Sequence, residues 1–112
     1  MNVILRLIAT ALLVMLLSYF LPGVGVDGFF SAMVVAIVLG LLNLFVKPIL
    51  VLFTLPVTIL TFGLFLLVIN AVVIMMVDYF VDGFRVTSFL TAVLFSLILS
   101  VVQSLIFSSG KD

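Results

Sequence analysis

Asp78, Asn70 and Lys47 are the residues whose types could do chemistry in this sequence, because each lies in or beside a long apolar run. An ionisable group inside a membrane is costly and marks a functional site by default. Asp78 is the sole charge between Ile49 and Val81. It stands near the end of its run, where a carboxylate also reaches the headgroups along the apolar surface. Asn70 is the one polar group near the middle of the same run, placed for a hydrogen bond between helices. Lys47 follows Asn43 by one helical turn, on the same face. It could meet a phospholipid phosphate or serve only as an anchor at an inner boundary. No nucleophile–base pair, phosphate-binding loop or metal-ligand cluster accompanies them, and no helix carries a continuous polar stripe that would line a pore. With no cysteine and no histidine, disulfides, thiolate chemistry and the commonest metal ligand are excluded. The expectation is no enzyme, no cofactor and no metal.

The elements that position these residues must sit in lipid. Of the 112 residues, 68% are hydrophobic and 7% charged, whereas a soluble domain is about half apolar and about a quarter charged. A net charge of zero gives no electrostatic footprint for nucleic acid. Arg6 ahead of an apolar run mimics a signal peptide, but no small-residue cleavage pattern precedes Pro22, so an uncleaved first helix is expected. Four segments approach the roughly 20 residues a membrane crossing needs: Val3–Leu21, Phe29–Val46, Leu64–Val81 and Phe89–Phe107. P-G-V-G-V-D-G joins the first two and D-G-F-R the last two. Both read as turns, and so as two helical hairpins.

Orientation follows from the few charges. Four crossings put Arg6, Lys47 and Lys111 on one side, and positive residues stay cytoplasmic. Both termini are then inside a bacterial inner membrane, and Asp27, Asp78, Asp82 and Arg85 lie at the outer face. Tyr19 and Tyr79 fall at the outer interface, where amphipathic rings prefer to be. The stretch Ile49–Phe62 must then begin and end on the cytoplasmic side, yet it carries Pro56 just after Pro48. Two arrangements satisfy this. One is a re-entrant or in-plane helix, broken near Leu55-Pro56, dipping into the inner leaflet and returning. The other is a second helix running on past Lys47 with a proline kink. An apolar run of about 10–14 residues favours the first. Thr54, Thr58 and Thr61 are available to bond the backbone groups such a break frees.

A shift of 60 residues (Ala71 against Ala11) aligns positions 4–46 with 64–106 without a gap. Leu7, Ala11, Met15, Tyr19, Phe20, Gly23, Val26, Phe29, Ala32 and Leu39 each meet an identical residue. A competing register matches V-D-G-F at Val26 and Val81 but covers the turn alone. The expected architecture is thus an all-α membrane protein forming one integral domain, residues 1–112. Two parallel-repeat hairpins, four transmembrane helices in all, are joined through a proline-broken segment at 47–63, with a pseudo-two-fold axis along the membrane normal. Ala32, Ala36 and Gly40 recur at every fourth position, matched by Ala92, Ser96 and Ser100, with Ser104 continuing the series. Small residues at this spacing let helices approach closely in lipid, within the chain or between copies. Asn43 and Gln103, three residues beyond each row, can hydrogen-bond across helices.

The segment N-L-F-V-K-P-I-L, then L-P-V-T-I-L-T-F-G-L-F, then V-I-N-A, resembles the phage holin family of mycobacterial-type four-transmembrane superfamily IV, which includes the YvlD-like small bacterial membrane proteins. The matched positions are Asn43, Lys47, Pro48, Pro56, Thr58, Gly63 and Asn70. The resemblance implies a holin: a small inner-membrane protein that oligomerises and permeabilises the membrane. A holin-like protein with the lipid bilayer and a homo-oligomer as partners is therefore expected. The alternatives are an accessory subunit packed with other membrane-protein subunits of an envelope complex, and a small transporter or lipid-interacting protein.

Overall fold

The computed structural model describes residues 2–109; Lys111, invoked above for topology, lies outside them. Helix α1 (Val3–Phe20) opens on Asn2, whose side-chain oxygen accepts the Leu5 N–H at 2.8 Å. It stops at Phe20, two residues before Pro22, and Leu21 is already extended, as a residue preceding proline prefers. After the short strand β1 (Val24–Val26) comes α2 (Phe29–Leu41), which passes through a π-helical turn (Leu42–Val46) into α3 (Lys47–Phe53). The helix α4 (Leu55–Leu60) precedes α5 (Phe65–Phe80), strand β2 (Phe84–Val86) and α6 (Phe89–Ser109). Ser88 caps α6, its Oγ accepting the Thr91 N–H at 3.2 Å.

Helix α1 packs on α2 and α5 on α6, with α1–α6 and α2–α5 contacts closing the bundle. The core is Val14, Val35, Val73, Ile74 and Val77, with the Phe84 and Phe95 rings 5.6 Å apart. In lipid such a core coheres by close packing rather than by exclusion of water. Residues 60 apart are buried alike: Ala11 with Ala71, Val14 with Ile74, Leu17 with Val77, Ala32 with Ala92, Val35 with Phe95, and Leu39 with Leu99.

Three expectations are corrected. The two connections are not plain turns: β1 and β2 pair antiparallel, Val24 with Val86, Gly25 with Arg85, Val26 with Phe84. Backbone bonds of 2.9 Å extend the ribbon at each end, Asp27 N–H to the Gly83 carbonyl and Thr87 N–H to the Gly23 carbonyl. The stretch expected as the third crossing is shorter than Leu64–Val81: at 16 residues, α5 spans about 24 Å against a hydrocarbon core of about 30 Å. Three helical runs, Val3–Phe20, Phe29–Phe53 and Phe89–Phe107, are long and apolar enough to cross; α5 is a fourth, shorter apolar helix.

The second helix, expected to end at Val46, runs on past Lys47 to Phe53. Proline shapes this run. Pro48 has no N–H, and its ring would strike the Leu44 carbonyl of a regular α-helix. The turn before it is widened, and the Lys47 N–H bonds the Leu42 carbonyl, five residues back. The helix breaks at Thr54, just ahead of Pro56, where Thr54 Oγ1 donates to the Leu50 carbonyl at 2.7 Å. Thr61 Oγ1 donates to the Val57 carbonyl at 3.0 Å and accepts the Phe65 N–H at 3.1 Å, tying α4 to α5. Phe62 and Gly63 complete this corner at φ +55° and +86°. A phenylalanine there is strained, whereas glycine is not. The Phe62 side chain is 96% exposed.

Candidate functional site

Polar side chains gather in the half of the bundle away from the ribbon. Helices α1 and α6 are joined there by Gln103, whose Nε2 donates to Thr10 Oγ1 at 2.8 Å. Beside it a cavity of about 40 Å³ is lined by Asn43, Lys47, Asn70, Ser96, Ser100 and Gln103, floored by Leu39, Val73, Ile74 and Leu99. That volume admits a water, which needs about 10–15 Å³ and two to four polar partners. A second cavity, about 200 Å³, is lined by Arg6, Thr10, Ala36, Gly40, Asn43 and Gln103. The two cavities share Asn43 and Gln103, which are themselves 60 residues apart. Arg6 lies over the Phe107 ring, 5.0 Å from its centroid, a cation–π contact between α1 and α6.

A third, more open groove of about 440 Å³ runs along one face of α3, from Asn43, Lys47 and Pro48 to Val51, Leu52 and Leu55. Lys47 is half-buried and, among the described residues, forms no ion pair.

The residues singled out from sequence divide accordingly. Ala32, Ala36, Ala92 and Ser96 are buried in the bundle. Gly40 and Ser100 are exposed, and a Cβ built on Gly40 would meet nothing within 4 Å. Asn43, Lys47, Asn70, Ser100 and Gln103 come together around the polar cavity. Pro56, Thr58 and Gly63 stand apart from it in the α4 corner. Thr54 and Thr61 bond freed backbone carbonyls there, but the Thr58 hydroxyl is buried and, among the described residues, has no hydrogen-bond partner. At the ribbon end Arg85 Nη1 pairs with Asp27 Oδ1 at 2.9 Å, both more than half exposed. Asp78 Oδ2 accepts the Val86 N–H at 3.0 Å, fastening α5 to the ribbon, and Asp82 is exposed.

Thr10 and Arg6 were not among the residues expected to act in packing. Thr10 had a readable signal: it is the counterpart of Asn70 under the 60-residue shift, so each half carries one polar residue at that depth. The Arg6–Phe107 contact had none, since its counterparts, Leu66 and Lys47, form no such pair.

A family model described as "Mycobacterial 4 TMS phage holin, superfamily IV" matches residues 1–105. The chain belongs to this holin family. The "Uncharacterized membrane protein YvlD" of Bacillus subtilis (strain 168) is 39% identical over 101 residues, 89% of this holin-family chain and 85% of the relative. The "Uncharacterized protein SCO3922" of Streptomyces coelicolor (strain ATCC BAA-471 / A3(2) / M145) is 46% identical over 77 residues, 65% of this chain and 62% of the relative. No solved structure matches. The chain is thus a holin-family membrane protein built of several apolar helices, and neither its family nor these relatives are described as enzymes.

Proposed function

We infer that this chain is a multi-pass protein of the bacterial inner membrane that acts by packing against copies of itself, and that permeabilisation, the activity its family name carries, follows from that assembly. The observation that carries the reading is the exposure of Gly40, Asn43 and Ser100, which stand at the open sides of the two polar cavities on otherwise apolar helices. Lipid offers an amide or hydroxyl no hydrogen bond, whereas a neighbouring helix does, and small residues let it come close. The bundle interior is packed with valine, isoleucine and phenylalanine. A single copy therefore provides no aqueous path, and a pore requires several copies.

The same reading takes the chain as one integral domain in which halves 4–46 and 64–106 form two parallel-repeat hairpins about a pseudo-two-fold axis. Support comes from the ribbon register, whose central pair is Gly25 and Arg85, and from the matched burial of residues 60 apart. Both termini and Lys47 are cytoplasmic and the ribbon is outside. Arg6 and Lys47 lie away from the ribbon, which carries the three described acidic residues, and Tyr19 and Tyr79 flank the ribbon at 80% and 82% exposure. The segment 47–63 is read as staying in the inner leaflet, because α3 only ends the run that crosses from Phe29, the helix breaks at Thr54, and the six-residue α4 is too short to cross and carries large exposed apolar side chains.

Chemical crosslinking in vesicles, read together with release of an entrapped dye, tests this. Gly40→Leu or Ser100→Leu should reduce crosslinked oligomers and dye release together, while Leu41→Val should leave both unchanged. Oligomers that survive both leucine substitutions would remove this interface. Oligomers without dye release would detach permeabilisation from assembly.

A further inference from the structure

We propose that the groove along α3 is a binding site for an anionic phospholipid of the inner leaflet. The Lys47 ammonium and the Asn43 amide would hold its phosphate, and Val51, Leu52 and Leu55 would line one acyl chain. The inference rests on the reading that α3 lies in the inner leaflet.

The groove changes character along its length. Asn43 and Lys47 stand at one end, Val51 continues the face one turn on, Leu55 closes the far end past the Thr54 break, and Pro48 and Leu52 form the adjoining wall. This is the polarity profile of a lipid, with a charged head and an apolar tail. From Lys47 to Phe53 the helix rises about 9 Å at 1.5 Å per residue, and Leu55 lies just past the break at Thr54. Its volume, about 440 Å³, falls in the range of small-molecule sites, about 300–1,000 Å³.

Charge selects the head. Among the described residues, Arg85 is paired with Asp27 and Arg6 covers the Phe107 ring, which leaves Lys47 as the basic group with no recorded partner. Every described carboxylate, Asp27, Asp78 and Asp82, lies in or beside the ribbon turns at the opposite end of the bundle. Lys47 borders the groove on one side and the uncharged amides and hydroxyls of the polar cavity on the other, so among the described residues no carboxylate neutralises it, and in this leaflet the abundant anions are lipid phosphates. The π-helical turn bears on the site directly. It contains Asn43 and ends at Val46, just before Lys47, and so sets how the two side chains are offset across the groove mouth.

The test is fluorescence quenching of Leu52→Trp, a reporter in the groove wall of a chain that has no other tryptophan. The protein is reconstituted in phosphatidylcholine vesicles containing brominated phosphatidylglycerol or brominated phosphatidylcholine at equal mole fraction. The phosphatidylglycerol should quench with about five-fold higher apparent affinity, the advantage of one basic residue near an anionic lipid. Lys47→Gln should abolish the preference while quenching by phosphatidylcholine persists, which shows that the variant is inserted; Lys47→Arg should keep it. Millimolar inorganic phosphate should not displace the lipid. Equal quenching by both lipids, or a preference that survives Lys47→Gln, would overturn the site and leave the inner-leaflet reading standing. Displacement by inorganic phosphate would reassign it to free phosphate. Absence of quenching by either lipid would remove the inner-leaflet reading and the site with it.

Discussion

Gly25 faces Arg85 at the centre of the two-stranded ribbon, and the two residues are 60 positions apart. On either side of this pair the ladder continues, Val24 with Val86 and Val26 with Phe84, so the α1–α2 connection is clasped by the α5–α6 connection. The absence of a side chain on Gly25 makes room for the Arg85 guanidinium. A Cβ on Gly25 would come within 3.0 Å of Arg85 Nη2, because the arginine lies across the glycine to reach Asp27.

Gly25→Val should therefore displace the guanidinium and break the Asp27 pair. Both partners are more than half exposed, so the pair is worth no more than about 1 kcal/mol, and less at high salt. Thermal unfolding in detergent at low and high salt is the check. The variant and Arg85→Gln should each show a loss at low salt that shrinks at high salt. A salt-independent loss on Arg85→Gln would mean that the arginine acts by packing instead.

The Gln103–Thr10 bond should behave as a coupled pair. Thr10→Val leaves the Gln103 amide without its partner, and interhelical bonds of this kind are worth about 0.6–2 kcal/mol in membranes. Thr10→Val and Gln103→Leu should each destabilise by that order in a detergent unfolding titration, and the double variant by no more than the larger single loss. Additive losses would show that the two side chains act independently.

Pro56→Leu restores an N–H to the chain four residues beyond Leu52, and so permits a helix that continues from α3 into α4. A spin label at Ile59 should then shift in membrane depth relative to one at Leu41, read by accessibility to lipid-soluble and water-soluble relaxants. An unchanged depth difference would place the cause of the break in Thr54 and the α4–α5 corner rather than in the proline.

The apolar runs and the positions of the two connections were legible in the sequence, because lipid imposes length and composition directly. The strands were not. Val-Gly-Val and Phe-Arg-Val are three residues each, too short for any period-two signal, and each exists only because the other half supplies its partner. The end of the second helix was misplaced because Lys47-Pro48 reads as a boundary. A π-helical turn let the helix absorb the proline without ending, a rearrangement that no local pattern announces. In the polar site, Asn43, Lys47, Asn70 and Gln103 were recognisable as polar groups in apolar runs. That they share one cavity depended on how α2, α5 and α6 pack.

Topology is the claim on which the rest depends, and the chain's lack of cysteine makes it directly measurable. Asp82→Cys and Lys111→Cys, expressed separately, can be treated in intact spheroplasts with a membrane-impermeant maleimide and again after lysis. The ribbon-outside arrangement predicts that Asp82→Cys is labelled before lysis and Lys111→Cys only after it. Labelling of Lys111→Cys in intact spheroplasts with Asp82→Cys protected would invert the protein. That result would place Lys47 and its groove in the outer leaflet and contradict the account.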